Sequence, residues 1–230
     1  MSDSFTEFGL SPLRKAIAAR MTQAKQTIPH FRLVANFEVD ALLRWRAALN
    51  ETTVAVKKIS VNDCFIKAVG MSLIKNPTIN CQMADNVVRQ FHSADISVVI
   101  SARGGLATPV VRGADVKSVG EIAAEVKDFA DRAGRNALKL NEISGGSFSI
   151  SNLGGYGVEQ FDAIINPPQC AILAIGSAGR RVIADSGGNT QIATMLTCTL
   201  SVDHRAIDGA EASAFLRDLR DLISDPDRMA

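Results

Sequence analysis

Residues 195–202 read Met-Leu-Thr-Cys-Thr-Leu-Ser-Val, the β-branched and apolar content of a strand. From Ile207 the period has changed, and Ala212, Phe215, Leu216, Leu219, Leu222 and Ile223 recur at the spacing of one helical face. Little more than Asp203-His-Arg-Ala separates the two patterns, so strand and helix must meet across a short turn, and His204 sits on it. Asp208 follows four residues later at the mouth of the helix, one helical turn from the imidazole. A rigidly held histidine beside a carboxylate suits a general base working near neutral pH. Taken alone, such a string is more often a connecting loop beside a helix-capping Asp. Other residues must decide between the two.

The rest of the chain reads as α/β, with a mixed β-sheet flanked by helices. Ser11-Pro12 caps a helix reaching about residue 26, with Leu13, Ile17 and Met21 on one face and Arg14 and Lys15 among the solvated cations. A strand follows over 28–39, then a helix capped by Asp40, then a second helix over 61–75 that stops before Asn76-Pro77. Residues 79–83 and 87–91 form a hairpin, and 96–101 and 108–112 form two strands joined by a turn at Gly104-Gly105. Ser118 and Glu121 make a capping box for the next helix. Strands resume at 147–151 and 170–175, before a hairpin whose tip is Ser186-Gly-Gly-Asn189. With 47% hydrophobic residues in a chain of 230, one full core is expected, and no Pro, Gly or Ser run divides it.

Several function classes fall away. The 25 basic residues balance 24 acidic ones, and one Trp and one Tyr leave little on which to stack bases, which argues against nucleic acid. No apolar run approaches a membrane span, and the acidic start Met1–Phe8 is unlike a secretory signal, so a soluble, intracellular protein is expected, cytoplasmic or in the mitochondrial matrix of a eukaryote. Four scattered cysteines, no C-x-x-C pair and three histidines make a metal site an unfavoured reading; buried free thiols fit better. His30 begins a strand with no carboxylate near it in sequence and reads as structural. The glycines of 154–157 lack the full spacing and the later acidic residue of a dinucleotide site.

The string Asp203-His-Arg-x-x-Asp-Gly209 resembles the signature of the dihydrolipoamide acyltransferases, the core subunits of 2-oxoacid dehydrogenase complexes. Ser11–Met21, Ile28-Pro-His-Phe31, Gly105–Val111, Phe148–Gly154 and Ile164–Leu173 resemble further blocks of that family, in its order. The resemblance implies a chloramphenicol acetyltransferase-like fold over residues 10–230 behind an extension at 1–9; the chain is expected to depart from the family in having neither a lipoyl nor a peripheral-subunit-binding domain. It implies an active site between subunits of a homotrimer, with coenzyme A and lipoamide as substrates and no metal. The acyl group arrives on a lipoyl domain in trans, and other subunits of a 2-oxoacid dehydrogenase complex are candidate partners. Residues 151–154 and 165–168 look most like the pyruvate branch, which favours acetyl and leaves succinyl or a branched acyl group as alternatives.

The same resemblance assigns roles. His204 is the general base and Ser151, 53 residues before it, the oxyanion donor from a neighbouring subunit. Asp208 either orients the histidine or braces its turn, and the resemblance favours bracing through a buried ion pair with Arg14. A serine hydrolase built on Ser151, His204 and Asp208 is disfavoured, because no G-x-S-x-G elbow surrounds Ser151. The rival readings are a non-catalytic assembly protein that keeps the fold and a free-standing coenzyme A acyltransferase with another acceptor. Shell-forming members of the family end in large apolar residues that dock on a neighbouring trimer. Here Met229 is the one sizeable apolar group among residues 224–230, so a plain trimer is expected.

Overall fold

The computed structural model describes residues 4–52, 58–102, 105–185 and 187–230. In chain order it begins with α1 (Pro12–Thr27), β1 (His30–Glu38), α2 (Asp40–Thr52) and α3 (Val61–Lys75). The hairpin β2 (Cys81–Ala84) and β3 (Val87–Gln90) comes next, followed by four short strands, β4 (Ile96–Val98), β5 (Ile100–Ala102), β6 (Gly105–Ala107) and β7 (Val110–Val111). After α4 (Val119–Ala133) come β8 (Phe148–Asn152), β9 (Ala171–Ile175), β10 (Gly179–Ala184), β11 (Thr190–Asp203) and α5 (Gly209–Ser224).

The strand feeding the histidine turn is longer than its apolar run. At 14 residues, β11 takes β1 along one edge over 195–203, and on the other edge takes β10 over 190–195 and β9 over 198–202. From β11 the main sheet continues β9-β8-β4-β7, with β8 parallel to both β9 and β4 and the remaining pairs antiparallel. It is the mixed sheet expected from the alternation of strand and helix patterns.

Period-2 alternation then sorts the sheet into two unlike faces. Ile96, Val98, Phe148, Ile150, Leu173, Cys198, Leu200 and Val202 join buried residues of α2, α3, α4 and α5 in one large core. The intervening Ser97, Ser149, Ser151, Thr199 and Ser201 point the other way. On that second face Ile172 meets Ala24 of α1, Ile28 and Ile165 in a small separate cluster. Helix α1 thus lies across the sheet from α5.

Local signals decide where the elements stop. α3 ends at Lys75 as Asn76-Pro77 requires, and at α4 both halves of the capping box form, Glu121 N donating to Ser118 Oγ at 3.3 Å and Ser118 N to Glu121 Oε2 at 2.8 Å. Asp40 does not act as the cap expected of it. Its carboxylate accepts both the N–H and the hydroxyl of Thr194, each at 2.7 Å, and so ties α2 to β11. The two strands expected over 96–101 and 108–112 are each broken. Pro109 has no N–H to extend the β4–β7 ladder, and β5 leaves the sheet to pair with β6 alone. Of the expected turns, Gly104 and Ser186 lie outside the described residues.

α3 packs unusually close to the loop before α4. A Cβ built on Gly70 would lie 2.8 Å from the backbone of both Ala114 and Asp115. Alanine favours a helix interior by about 1 kcal/mol over glycine, but forcing two backbones apart costs about 1–3 kcal/mol. Gly70→Ala should therefore lower stability in urea unfolding, and a gain in stability would contradict this packing.

Candidate active site

The start of the histidine turn is pinned by several hydrogen bonds, none of them to the imidazole among the described residues. Asp203, 1% exposed, donates its N–H to the Cys170 carbonyl at 2.8 Å, and its own carbonyl accepts from Ala206 N and Ile207 N, both at 3.0 Å. Its carboxylate takes Arg205 N at 3.0 Å, Arg205 Nε at 2.9 Å and Arg205 Nη2 at 2.6 Å. The His204 N–H donates to Pro29 O at 3.1 Å, and its exposed ring rests on Phe31 with centroids 4.7 Å apart. A turn pinned at so many points presents one side chain in one place.

Within the chain, Asp208 makes the contacts of a helix cap. It is the N-cap of α5, accepting Ala210 N at 2.8 Å and Glu211 N at 3.1 Å, while Glu211 Oε2 takes the Asp208 N–H at 3.0 Å. Among the described residues no ion pair joins it to Arg14. The reason lies in the layers: α1, which carries Arg14, packs on the sheet face opposite α5. The brace expected of Asp208 and Arg14 is supplied by Asp203 and Arg205 from within the motif itself. An aspartate beside an arginine two residues on was the available signal, and attention to the later Asp missed it.

His30 is structural, as read. Its Nε2 accepts the Ile165 N–H at 3.1 Å, which leaves Nδ1–H to donate to Ile28 O at 2.9 Å, so both ring nitrogens are spent on backbone. Those bonds hold the chain on either side of Pro29, whose carbonyl in turn holds His204.

Ser151 is half-buried on β8 and opens onto a cavity of about 510 Å³ on the second face of the sheet, walled by Ile17, Arg20 and Met21 of α1, Leu106, Phe161 and Ile164. Ser149 lines the same cavity, but its hydroxyl is bound to Gln169, whose amide also reaches Ser97 Oγ at 2.9 Å. Of the two serines, Ser151 is the one with its hydroxyl uncommitted among the described residues.

Within one chain, Ser151 and His204 do not meet. Ser151 is in register with Ala174, and Ala174 with Thr199. His204 lies five residues beyond Thr199, about 17 Å along β11, and two strand spacings across; the separation is roughly 20 Å. No proton or hydrogen bond crosses that gap.

The family model for the 2-oxoacid dehydrogenases acyltransferase (catalytic domain) matches residues 2–230. The chain belongs to that family. It is 46% identical over 220 residues to the dihydrolipoyllysine-residue acetyltransferase component of the pyruvate dehydrogenase complex of Zymomonas mobilis, covering 94% of this chain and 49% of that protein. Such curated relatives are longer: the chain spans between 35% and 49% of the first three. Among solved structures, a dihydrolipoamide acetyltransferase of Azotobacter vinelandii, studied for the roles of a serine, a histidine and an asparagine in its mechanism, superposes with a TM-score of 0.94 at 28% identity, covering 99% of this chain and 95% of that one. Chloramphenicol acetyltransferase, at 15% identity and a TM-score of 0.57 over 89% of this chain and 94% of its own, shares the fold. The fold expected from the resemblance is therefore the fold found.

Capping and ion pairing make different demands on Asp208. Asparagine caps as well as aspartate, whereas alanine costs about 1 kcal/mol. Asp208→Asn should leave urea stability within a few tenths of a kcal/mol, Asp208→Ala should lose about 1 kcal/mol, and Arg14→Ala should change neither value. An equal loss from Arg14→Ala would restore the ion pair.

Proposed function

We propose that this chain moves an acetyl group between dihydrolipoamide and coenzyme A. The observation that carries the reading is an exposed imidazole, reached by no ring hydrogen bond among the described residues, on a turn braced by the bonds of Asp203, Arg205 and the His204 N–H. A base must be rigid in place yet free at nitrogen, and His204 is both. In the forward direction the coenzyme A thiol gives its proton to His204, and its sulfur attacks the thioester carbonyl of acetyl-lipoamide. The tetrahedral oxyanion accepts a hydrogen bond from the Ser151 hydroxyl. Collapse breaks the bond to the lipoamide sulfur, which leaves with the proton held on His204, so acetyl-coenzyme A and dihydrolipoamide result and no metal enters. Acetyl, rather than a larger acyl group, is favoured by the pyruvate dehydrogenase relatives.

The roughly 20 Å between the two residues supports a site shared by two chains of a homotrimer, with Ser151 contributed by the neighbour. The acyl group would be delivered by a lipoyl domain in trans, within a larger 2-oxoacid dehydrogenase assembly. Asp208 caps a helix in this scheme and relays no proton. In the Azotobacter relative the corresponding study concerns an asparagine four positions after the histidine, which fits a cap better than a charge relay.

Three outcomes test the proposal in an assay of acetyl transfer from acetyl-coenzyme A to free dihydrolipoamide. His204→Ala should lose about 10²–10⁴-fold, and Ser151→Ala about 10²–10³-fold in kcat; full activity in either variant removes its assigned role. Mixed after dissociation and reassembly, the two inactive variants should recover part of the activity, because a mixed trimer holds a site with both residues native. Absence of recovery in proven mixed trimers places both residues in one chain.

Assembly size is a separate test. Met229 is 2% exposed and packed in its own chain's core, so it is not presented to a neighbouring trimer. Light scattering of this 230-residue chain should give the mass of three chains; a megadalton particle would overturn that expectation.

A further inference from the structure

Two of the four cysteines face each other. A lone antiparallel bridge joins Gln82 to Gln169, with Met83 N donating to Pro168 O at 2.8 Å and Cys170 N to Cys81 O at 3.2 Å. That register sets Cys81, at the start of β2, directly opposite Cys170, just before β9. Opposed residues in an antiparallel pair have Cα atoms about 5.5 Å apart when hydrogen-bonded, with side chains on the same face, and about 4.4–6.8 Å is the span a disulfide bridges. Both side chains are fully buried and belong to the same core cluster. Cys64 and Cys198 are buried too, but no strand pairing opposes either to another cysteine.

We propose that Cys81 and Cys170 form an oxidisable dithiol, closed to a disulfide by a hydroperoxide. In the first step one sulfur, as thiolate, attacks the peroxide oxygen; the O–O bond breaks, sulfenic acid forms on that sulfur, and the released hydroxide takes a proton to become water. In the second, the other sulfur attacks the sulfenic sulfur, the S–O bond breaks, and the hydroxyl leaves as a second water. Two thiols are oxidised by two electrons, one hydrogen peroxide is reduced to two waters, and the protein loses two hydrogen atoms.

The resting pair is protected. The hydrogen bond with Cys81 is the largest cause pushing the Cys170 thiol far up, followed by burial and then by the charges of Cys81 and Asp203, so little thiolate exists in the closed fold. Reaction therefore waits on local opening, and β2 is placed to allow it. It pairs only with β3, which is exposed along its whole length, and through the one bridge to Gln169. The position matters because the Cys170 carbonyl holds the Asp203 N–H, one residue from His204. A disulfide here would join the hairpin covalently to the segment under the histidine turn.

The test uses the whole assembled protein and reads mass, so it does not depend on acyl transfer. The protein is treated with hydrogen peroxide, and in parallel is equilibrated for days with oxidised and reduced glutathione in urea below the unfolding transition. Remaining thiols are then alkylated and peptides are mapped without reduction. The expected result is one linked pair of peptides containing Cys81 and Cys170, two alkylated thiols at Cys64 and Cys198, and loss of the link in both Cys81→Ser and Cys170→Ser. Four alkylated thiols, or only glutathione mixed disulfides and sulfinic acids, under both conditions would overturn the proposal. So would a link between any other two cysteines at equal yield.

Discussion

The backbone hydrogen bonds of β11 set the positions of almost everything else. One strand carries two partners on one edge and a third on the other, so its register decides where β1, β9 and β10 lie. Its last residue, Asp203, begins the turn that displays the histidine. A slip of one residue would move Cys198, Leu200 and Val202 out of the core and put Thr199 and Ser201 into it. Burying side chains such as Leu200 and Val202 is worth about 1.5–3 kcal/mol each, so the register is strongly held, and the position of the histidine turn follows from it.

Much of this was legible because strong local signals lay where the elements begin and end. The proline after Lys75, the Ser118–Glu121 box and the change of period after Val202 each act within one turn of chain. The β6/β7 break had a local signal in Pro109, but the β4/β5 break was illegible for the opposite reason: only the sheet neighbours of a strand decide whether it stays in the ladder. Thr194, the hydrogen-bond donor to Asp40, lies 154 residues away, and no local rule points to it.

The site shows the same division. His204 and Ser151 were singled out from motif blocks, and the structure puts one on a braced turn and the other on a cavity wall. At Asp208 two chemistries compete for one carboxylate within the chain. An aspartate just before a helix meets the N–H groups of the first turn without moving, whereas a pair with Arg14 would need α1 on the other side of the sheet. The nearer donors win. The brace came instead from Asp203 and Arg205, where a buried carboxylate is satisfied by three donors of a single residue.

That arrangement bears on why the proposed site needs a second chain. Charge developing on an oxyanion gains little from a donor in bulk water, where unit charges 4 Å apart interact by only about 1 kcal/mol, and several times more in a site of lower effective dielectric. Ser151 sits in an open cavity and the His204 ring is exposed, so in the isolated chain each works against water. In the shared site proposed above, a neighbouring subunit that brought the two surfaces together would close the roughly 20 Å gap set by the β8–β9–β11 register. It would also expel solvent from both groups at once. Proximity and desolvation would then come from a single contact, with the imidazole already held in place by the turn around Asp203 and no ordering of the turn left to oppose it.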